Sequence, residues 1–421
     1  MRCTLVAIGP RGDIQPMLAL GSALAAGGAA VTIATHADFA PAVAARGLAV
    51  TVVQGDAARF FGGAAGVAAR ERLRDGRAFR RFFDDYLSLF YEKLLGEVAA
   101  ACTGADLVVC WPWTRFATSL AEGLGIPVVI ACTYPVMHLP TAAFANPYQP
   151  EPGGAEPGRE RHSWRLALPA MQAGDAALNR WRQAAFGLPP IGWREDLHRL
   201  RRLPHLLAYS ETVLARPADW PPNVHVTGYW FVDDAPTYRP PDALAGFIGE
   251  GPPPVAIGFS SQVGRDREGL TAVVRDAVAL AGVRAVVLSG FGAVDAIDSR
   301  DLLVVDAVPH DWLFARVAAV AHHGGSGTTG SALWAGRPAF AVPFGYDQPL
   351  WGERLHALGV GPAPLPAATL TAPALAAALR SATGTESMRT RAAALGAIIR
   401  REDGLGTAVR LLHGLTGTRR P

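Results

Sequence analysis

Twice along this chain a short apolar run passes into a glycine-bearing turn, then into an Ala- and Leu-rich stretch, and then into a second apolar run. Residues 3–8 read as a strand buried on both faces. A turn from Gly9 to Asp13 follows, with Pro16 near the start of a helix that ends at Gly27 and Gly28, and residues 31–35 supply the next strand. The alternation restarts with a strand over 255–259, a helix over 268–281 and strands over 285–289, 302–305 and 317–321. Such βαβ units predict a doubly wound parallel sheet that binds ligands at the carboxyl ends of its strands.

Length makes this two sheets rather than one. At 421 residues the chain exceeds what a single hydrophobic core usually fills, and with half its residues hydrophobic it can fill two. Further strands are expected over 106–110, 127–131, 206–210 and 224–226, and a proline-rich, aperiodic stretch separates the two βα blocks. The predicted fold class is α/β, with two Rossmann-like domains facing across a cleft. The expected boundaries are 1–235 for the N-terminal domain, 236–253 for the linker and 254–400 for the C-terminal domain. Residues 401–421 are expected to pack back toward the N-terminal domain, with Gly404 and Gly406 as helix breakers.

Charge narrows the partners. A net charge of +3 with 18% charged residues is too weak a basic field for a nucleic-acid protein. The cluster Arg70, Arg72, Arg74, Arg77, Arg80 and Arg81 is interrupted by Glu71 and Asp75, so it reads as a solvated helix face before a membrane contact. The apolar run before Arg11 is too short for a signal peptide, no segment approaches a membrane span, and Cys3, Cys102, Cys110 and Cys132 show no metal spacing. A soluble, cytoplasmic protein with reduced thiols is expected.

The chemistry concentrates after the strand over 317–321, in the run His322, His323, Gly324, Gly325, Ser326, Gly327, Thr328, Thr329. Small residues opening a helix expose backbone N–H groups that cradle phosphate, and His323, Ser326 and Thr328 add donors. Ser326 and Thr328 can equally cap the helix. A metal role for the paired histidines is disfavoured, because adjacent residues leaving a strand point to opposite sides. Gly325, Gly327 and Gly330 also satisfy a dinucleotide fingerprint, with Asp347 as its ribose acid, which leaves an NAD(P)-dependent oxidoreductase open. Asp347 and Gln348 together offer the acceptors and donors that vicinal sugar hydroxyls require, or else they cap the helix beginning near Pro349.

Three stretches closely resemble the inverting GT-B enzymes of the UDP-glycosyltransferase superfamily, especially sterol glucosyltransferases and bacterial natural-product enzymes of the glycopeptide type. They are Gly9 to Pro16, Val308 to Phe314, and His322 to Trp351. The resemblance implies a metal-independent glycosyltransferase that takes a UDP- or dTDP-sugar as co-substrate, with no other cofactor. It places Val308 and His310 at the base, Ser261, His323, Gly325, Ser326, Gly327 and Thr328 at the diphosphate, Arg11 beside the donor, and Asp347 and Gln348 at the sugar. Asp13 falls on the general base that takes the acceptor hydroxyl's proton. A non-catalytic sugar-nucleotide-binding relative is the other alternative. Pro10 stands where many relatives carry Ser or Thr, which removes a hydroxyl and an N–H from the first loop.

The acceptor is expected in the N-terminal domain. Trp111, Trp113, Tyr134, Met137 and Phe144 sit on or after strand ends and are candidates to line an apolar pocket for a hydrophobic small molecule such as a natural-product aglycone or sterol.

Overall fold

The computed structural model describes residues 1–55, 88–111, 116–136, 138–147, 163–165, 172–259, 267–290 and 299–417, with the single residues 77, 80, 81, 84 and 295. Ser261, Trp113, Met137, Arg70, Arg72 and Arg74 lie outside the described residues. The chain forms two compact units. One comprises Met1–Glu211, Ala215–Val232 and Asp403–Pro421, and the other Thr212–Leu214 and Asp233–Glu402.

The first unit is built on a seven-stranded sheet ordered β3-β2-β1-β4-β5-β6-β7. Its strands are β1 (Arg2–Val6), β2 (Ala30–Thr35), β3 (Ala49–Val52), β4 (Leu107–Cys110), β5 (Val128–Cys132), β6 (His205–Leu207) and β7 (Val224–Val226). Every pairing is parallel, which explains the unbroken apolar character of β4 and β5, buried at every position. Leu94, Leu95, Val98, Phe116, Leu120 and Trp181 pack against the sheet from helices. The final helix, Gly404–Gly417, belongs to this unit and packs against the first helix, Arg11–Ala26.

The second unit carries a five-stranded parallel sheet ordered β10-β9-β8-β11-β12. Its strands are β8 (Val255–Gly258), β9 (Ala285–Leu288), β10 (Leu302–Val305), β11 (Ala319–His322) and β12 (Ala339–Ala341). Val274, Val278, Leu375 and Leu379 from the helices Arg267–Ala281 and Ala372–Gly384 close its core with Ile257, Val287 and Phe340.

In both sheets the order reverses direction once, between β1 and β4 and between β8 and β11. A doubly wound sheet opens its ligand crevice at such a switch point. The loop Gly9–Pro10 and Trp111 leave the carboxyl ends of β1 and β4, and His323–Gly325 leave that of β11.

Three local expectations are corrected. The first helix begins at Arg11, five residues before Pro16, because extended Pro10 occupies the N-cap (φ −72°, ψ 175°) and Asp13 sits in the first turn, where the helix dipole favours a carboxylate. Pro16 is tolerated inside the helix at the loss of one main-chain hydrogen bond. At the C-terminus the break falls at Arg400–Asp403, and Gly404 opens the next helix instead of ending one. A Cβ at Gly404 would collide with the main chain of Gly228 and Tyr229, so this glycine serves close packing. Gly406 lies within that helix.

Candidate functional site

Strand β11 sits between β8 and β12, and its last residue, His322, pairs in register with Gly258 and Ala341. The chain then turns through Gly324, whose φ of +90° belongs to the left-handed region. A Cβ there would lie 2.8 Å from the Gln348 carbonyl oxygen and 3.2 Å from Ala341 Cβ. Both conformation and crowding therefore demand glycine. The Gly324 N–H donates to His322 Nδ1 at 3.0 Å.

Gly325 is the N-cap of the helix Ser326–Trp334, and no side chain caps that helix. A Cβ on Gly325 would strike the His323 ring, so imidazole and main chain are in close apposition. The first main-chain bond of the helix closes at Thr329, whose N–H and hydroxyl both donate to the Gly325 carbonyl at 2.9 Å. The N–H groups ahead of it end a helix dipole with no intrahelical acceptor, an arrangement that suits an anion. Gly327 is exposed, and a Cβ there would meet no atom of the described residues within 4 Å. Thr328 is half-buried beside it and Ser326 is buried.

Both histidines of the loop are buried and held neutral. Burial pushes His323 down to about 4, with a backbone hydrogen bond to Gly258 opposing the shift. Burial also drives His322 well below the ordinary range, with His323 and His310 adding repulsion. What this loop offers a negative charge is therefore dipoles and N–H groups and not a cationic ring.

The loop between β12 and the helix Gln348–Ala357 carries the polar pair. Asp347 holds the N-cap position, yet its side chain makes no capping bond. Its Oδ2 instead accepts the Trp351 indole N–H at 2.7 Å. Asp347 is only 8% exposed, and burial pushes its carboxyl up to about 6, partly opposed by that indole bond. Gln348 Oε1 accepts the N–H groups of Phe344 at 2.7 Å and Gly345 at 3.2 Å. This fixes the amide with its NH₂ as the remaining donor group. Between these anchors Tyr346 adopts φ +57°, the one left-handed non-glycine among the described residues.

Val308 is buried, and His310 heads the short helix His310–Phe314, stacked on Phe314 with centroids 4.5 Å apart. The intervening Asp311 accepts the N–H groups of Asp234 and Ala235 at 2.9 and 2.7 Å, which ties down the chain entering this unit.

In the first unit Asp13 is half-buried in the opening turn of its helix, with its N–H donating to the Pro10 carbonyl at 2.9 Å. Its carboxylate lies against Gly9, which has φ +142°, so closely that a Cβ on Gly9 would overlap Asp13 Oδ2. Arg11 is exposed, and its guanidinium faces the Gln15 side-chain amide. Trp111 is fully buried and meets Tyr134 edge-on at 6.4 Å. Phe144 is half-buried against Trp164 and Trp220.

The second unit thus brings His323, Gly325, Ser326, Gly327 and Thr328 to one helix N-terminus and sets Gln348 against it through Gly324. Asp13, Trp111, Tyr134 and Phe144 belong to the other unit. Sequence reasoning did not assign roles to Gly9, Tyr346 or Trp351. The four-residue spacing of Asp347 and Trp351 was the available signal, since such residues are neighbours on a helix. Among the described residues no group of three or more His, Cys, Asp or Glu is arranged to hold a metal ion, and no helix is long and apolar enough to cross a membrane.

Two family models match the chain. Residues 3–140 match the glycosyltransferase family 28 N-terminal domain, and residues 294–400 match the erythromycin biosynthesis protein CIII-like C-terminal domain. A sterol 3-beta-glucosyltransferase of Cryptococcus neoformans var. neoformans serotype D is 34% identical over 442 residues. That match covers 98% of this chain but only 27% of the relative's length. Among solved structures, the kitacinnamycin glycotransferase aligns with a TM-score of 0.71 at 20% identity, over 99% of each chain. The glycosyltransferase VinC in complex with dTDP aligns with a TM-score of 0.65 at 21% identity, over 99% of this chain and 100% of its own.

Proposed function

We propose that this chain, which shares the GT-B fold, is a glycosyltransferase that transfers a sugar from a UDP- or dTDP-sugar to a hydroxyl of a lipophilic small molecule, with inversion at the anomeric carbon. The observation that carries this reading is the contact between the glycine loop and Gln348. A phosphate cradle and a sugar-binding amide share one wall, separated only by Gly324. The likeness of nearly the whole chain to a sterol glucosyltransferase and its shared fold with a dTDP-binding enzyme support the substrate classes.

In this reading the uncapped helix at Gly325 and the neutral His323 bind the diphosphate, and Asp347 and Gln348 hold the sugar hydroxyls. The main chain at Val308 and the His310 turn receive the base, while Ser261 and Arg11 complete the donor contacts. Asp13 takes the proton of the acceptor hydroxyl while that oxygen attacks the anomeric carbon. The bond from that carbon to the diphosphate oxygen breaks with its electron pair, and the charge released falls on donors already oriented to receive it. Those fixed dipoles supply the stabilisation, so no metal ion is required. Tyr134 and Phe144 border the apolar acceptor surface, the fully buried Trp111 backs Tyr134, and Trp113 and Met137 are assigned to the same surface from the sequence alone.

A thermal-shift screen tests the donor step without an acceptor, since a ligand specific for the native state stabilises it by mass action. UDP or dTDP should raise the melting temperature and NAD(P)H should not; the reverse outcome would sink the reading. With an accepted donor in hand, Asp13→Asn should abolish transfer to sterol and polyketide acceptors while nucleotide binding persists.

A further inference from the structure

We propose that His322 is a positioning residue: its Nδ1 acceptor holds Gly324 in the left-handed turn that joins the diphosphate loop to Gln348. The inference rests on the donor-binding reading above and deepens it, because that reading gives His322 no role.

The geometry is specific. His322 ends β11, 1% exposed, with its main chain locked in register between Gly258 and Ala341. From that fixed point the ring reaches two residues ahead and accepts the Gly324 N–H at 3.0 Å. Asn and Asp side chains make the same short reach in turns. The bond determines the tautomer. Nδ1 must be unprotonated, so the ring proton resides on Nε2. That Nε2–H is buried with no hydrogen-bond partner among the described residues.

An unmet buried donor is a cost that a leucine of similar size would avoid, so the ring's contribution is the acceptor it presents. Neutrality is enforced chiefly by burial, and the neighbours add to it. The titratable groups bearing on the ring are His323 in the same loop and His310 on the adjoining short helix, and both would repel a second positive charge. β8 and β12 present only Gly258 and Ala341 at its level.

Gly324 is where the bond matters. Its main chain abuts the Gln348 carbonyl on one side and leads into the helix N-cap on the other. If the turn relaxes, the N–H groups at Gly325–Thr328 and the Gln348 amide lose their common frame, and the two halves of the donor are no longer gripped in register.

The test uses the full chain with UDP and dTDP as probes, measured by calorimetry for wild type, His322→Leu and His322→Asn. The Leu variant should bind the nucleotide about tenfold more weakly, the loss of one buried hydrogen bond. Asn, which restores an acceptor at the Nδ1 position, should recover most of that loss. The Gly324 amide should exchange faster in the Leu variant only, and with a sugar donor the KM should rise more than kcat falls. Should the Leu variant not fold, His322→Gln replaces it, since its acceptor lies one bond too far out to meet Gly324. Wild-type affinity in the acceptor-less variants, or equal losses in Asn and Leu, overturns the inference alone. Failure of wild type to bind either nucleotide overturns the donor reading and the inference with it.

Discussion

Asp347→Asn should make the protein more stable at neutral pH and, on the donor reading proposed above, weaken its hold on the sugar. The folded protein raises the Asp347 carboxyl from 3.8 to about 6, chiefly by burial. Between those values the native chain keeps a proton that the unfolded chain has lost, so stability falls as pH rises through the window. Above about pH 6 the full difference applies. A shift of roughly two units at about 1.4 kcal/mol each amounts to about 3 kcal/mol. Asparagine never ionises, and its carbonyl can still accept the Trp351 indole N–H now held at 2.7 Å. The variant should therefore gain up to about 3 kcal/mol at pH 8, or about 6–12 °C in melting temperature for a domain of this size. The gain should shrink toward zero near pH 4. Ligand-free calorimetric melts at pH 4 to 8 provide the measurement. A variant that is less stable at pH 8, or whose gain does not change with pH, would refute the link between burial and ionisation.

Two further substitutions address backbone positions. Gly9→Ala should cut turnover at least about tenfold with UDP or dTDP binding intact, because φ +142° and the abutting Asp13 carboxylate leave no room for a Cβ; separate measurement of kcat and nucleotide affinity decides it. Tyr346→Gly removes a left-handed cost of about 1–2 kcal/mol but adds unfolded-chain entropy of about 0.5–1 kcal/mol. A net gain between about 0 and 1.5 kcal/mol in thermal melts, together with a raised donor KM from a looser loop, is the expected result.

The elements legible in the sequence are those whose burial leaves no choice of residue. β4 and β5 read as apolar runs because they are covered on both faces, whereas the edge strand β3 ends in Val52, 53% exposed, and carries no such pattern. The glycine run announced a helix N-terminus because Gly324 and Gly325 leave no room for a side chain. Proline misled the placement of the first helix, since Pro16 reads as a start while Pro10 is the cap. Pairings set by tertiary contact were hidden. Nothing local says that Gly404 must clear the main chain of Gly228 and Tyr229, or that Tyr346 must turn left-handed to let Gln348 bind back to Phe344 and Gly345.

The three glycines of the loop can be told apart by what a methyl group would meet. At Gly324 it meets the Gln348 main chain in a left-handed turn, and at Gly325 it meets the His323 ring, so alanine at either site must disturb the protein itself. At Gly327 it meets no atom of the described residues, and the residue lies in the first turn of a helix, where alanine is favoured over glycine by about 1 kcal/mol. No packing contact among the described residues requires a glycine there, and on the donor reading proposed above the missing side chain lets a bound diphosphate approach the main chain. Gly327→Ala should then raise the melting temperature of the free protein by a few degrees and lower its affinity for UDP or dTDP about tenfold or more. Gly324→Ala and Gly325→Ala should lower both. If Gly327→Ala binds nucleotide as wild type does, the diphosphate does not approach the helix at this turn, and the donor must be held elsewhere along the loop.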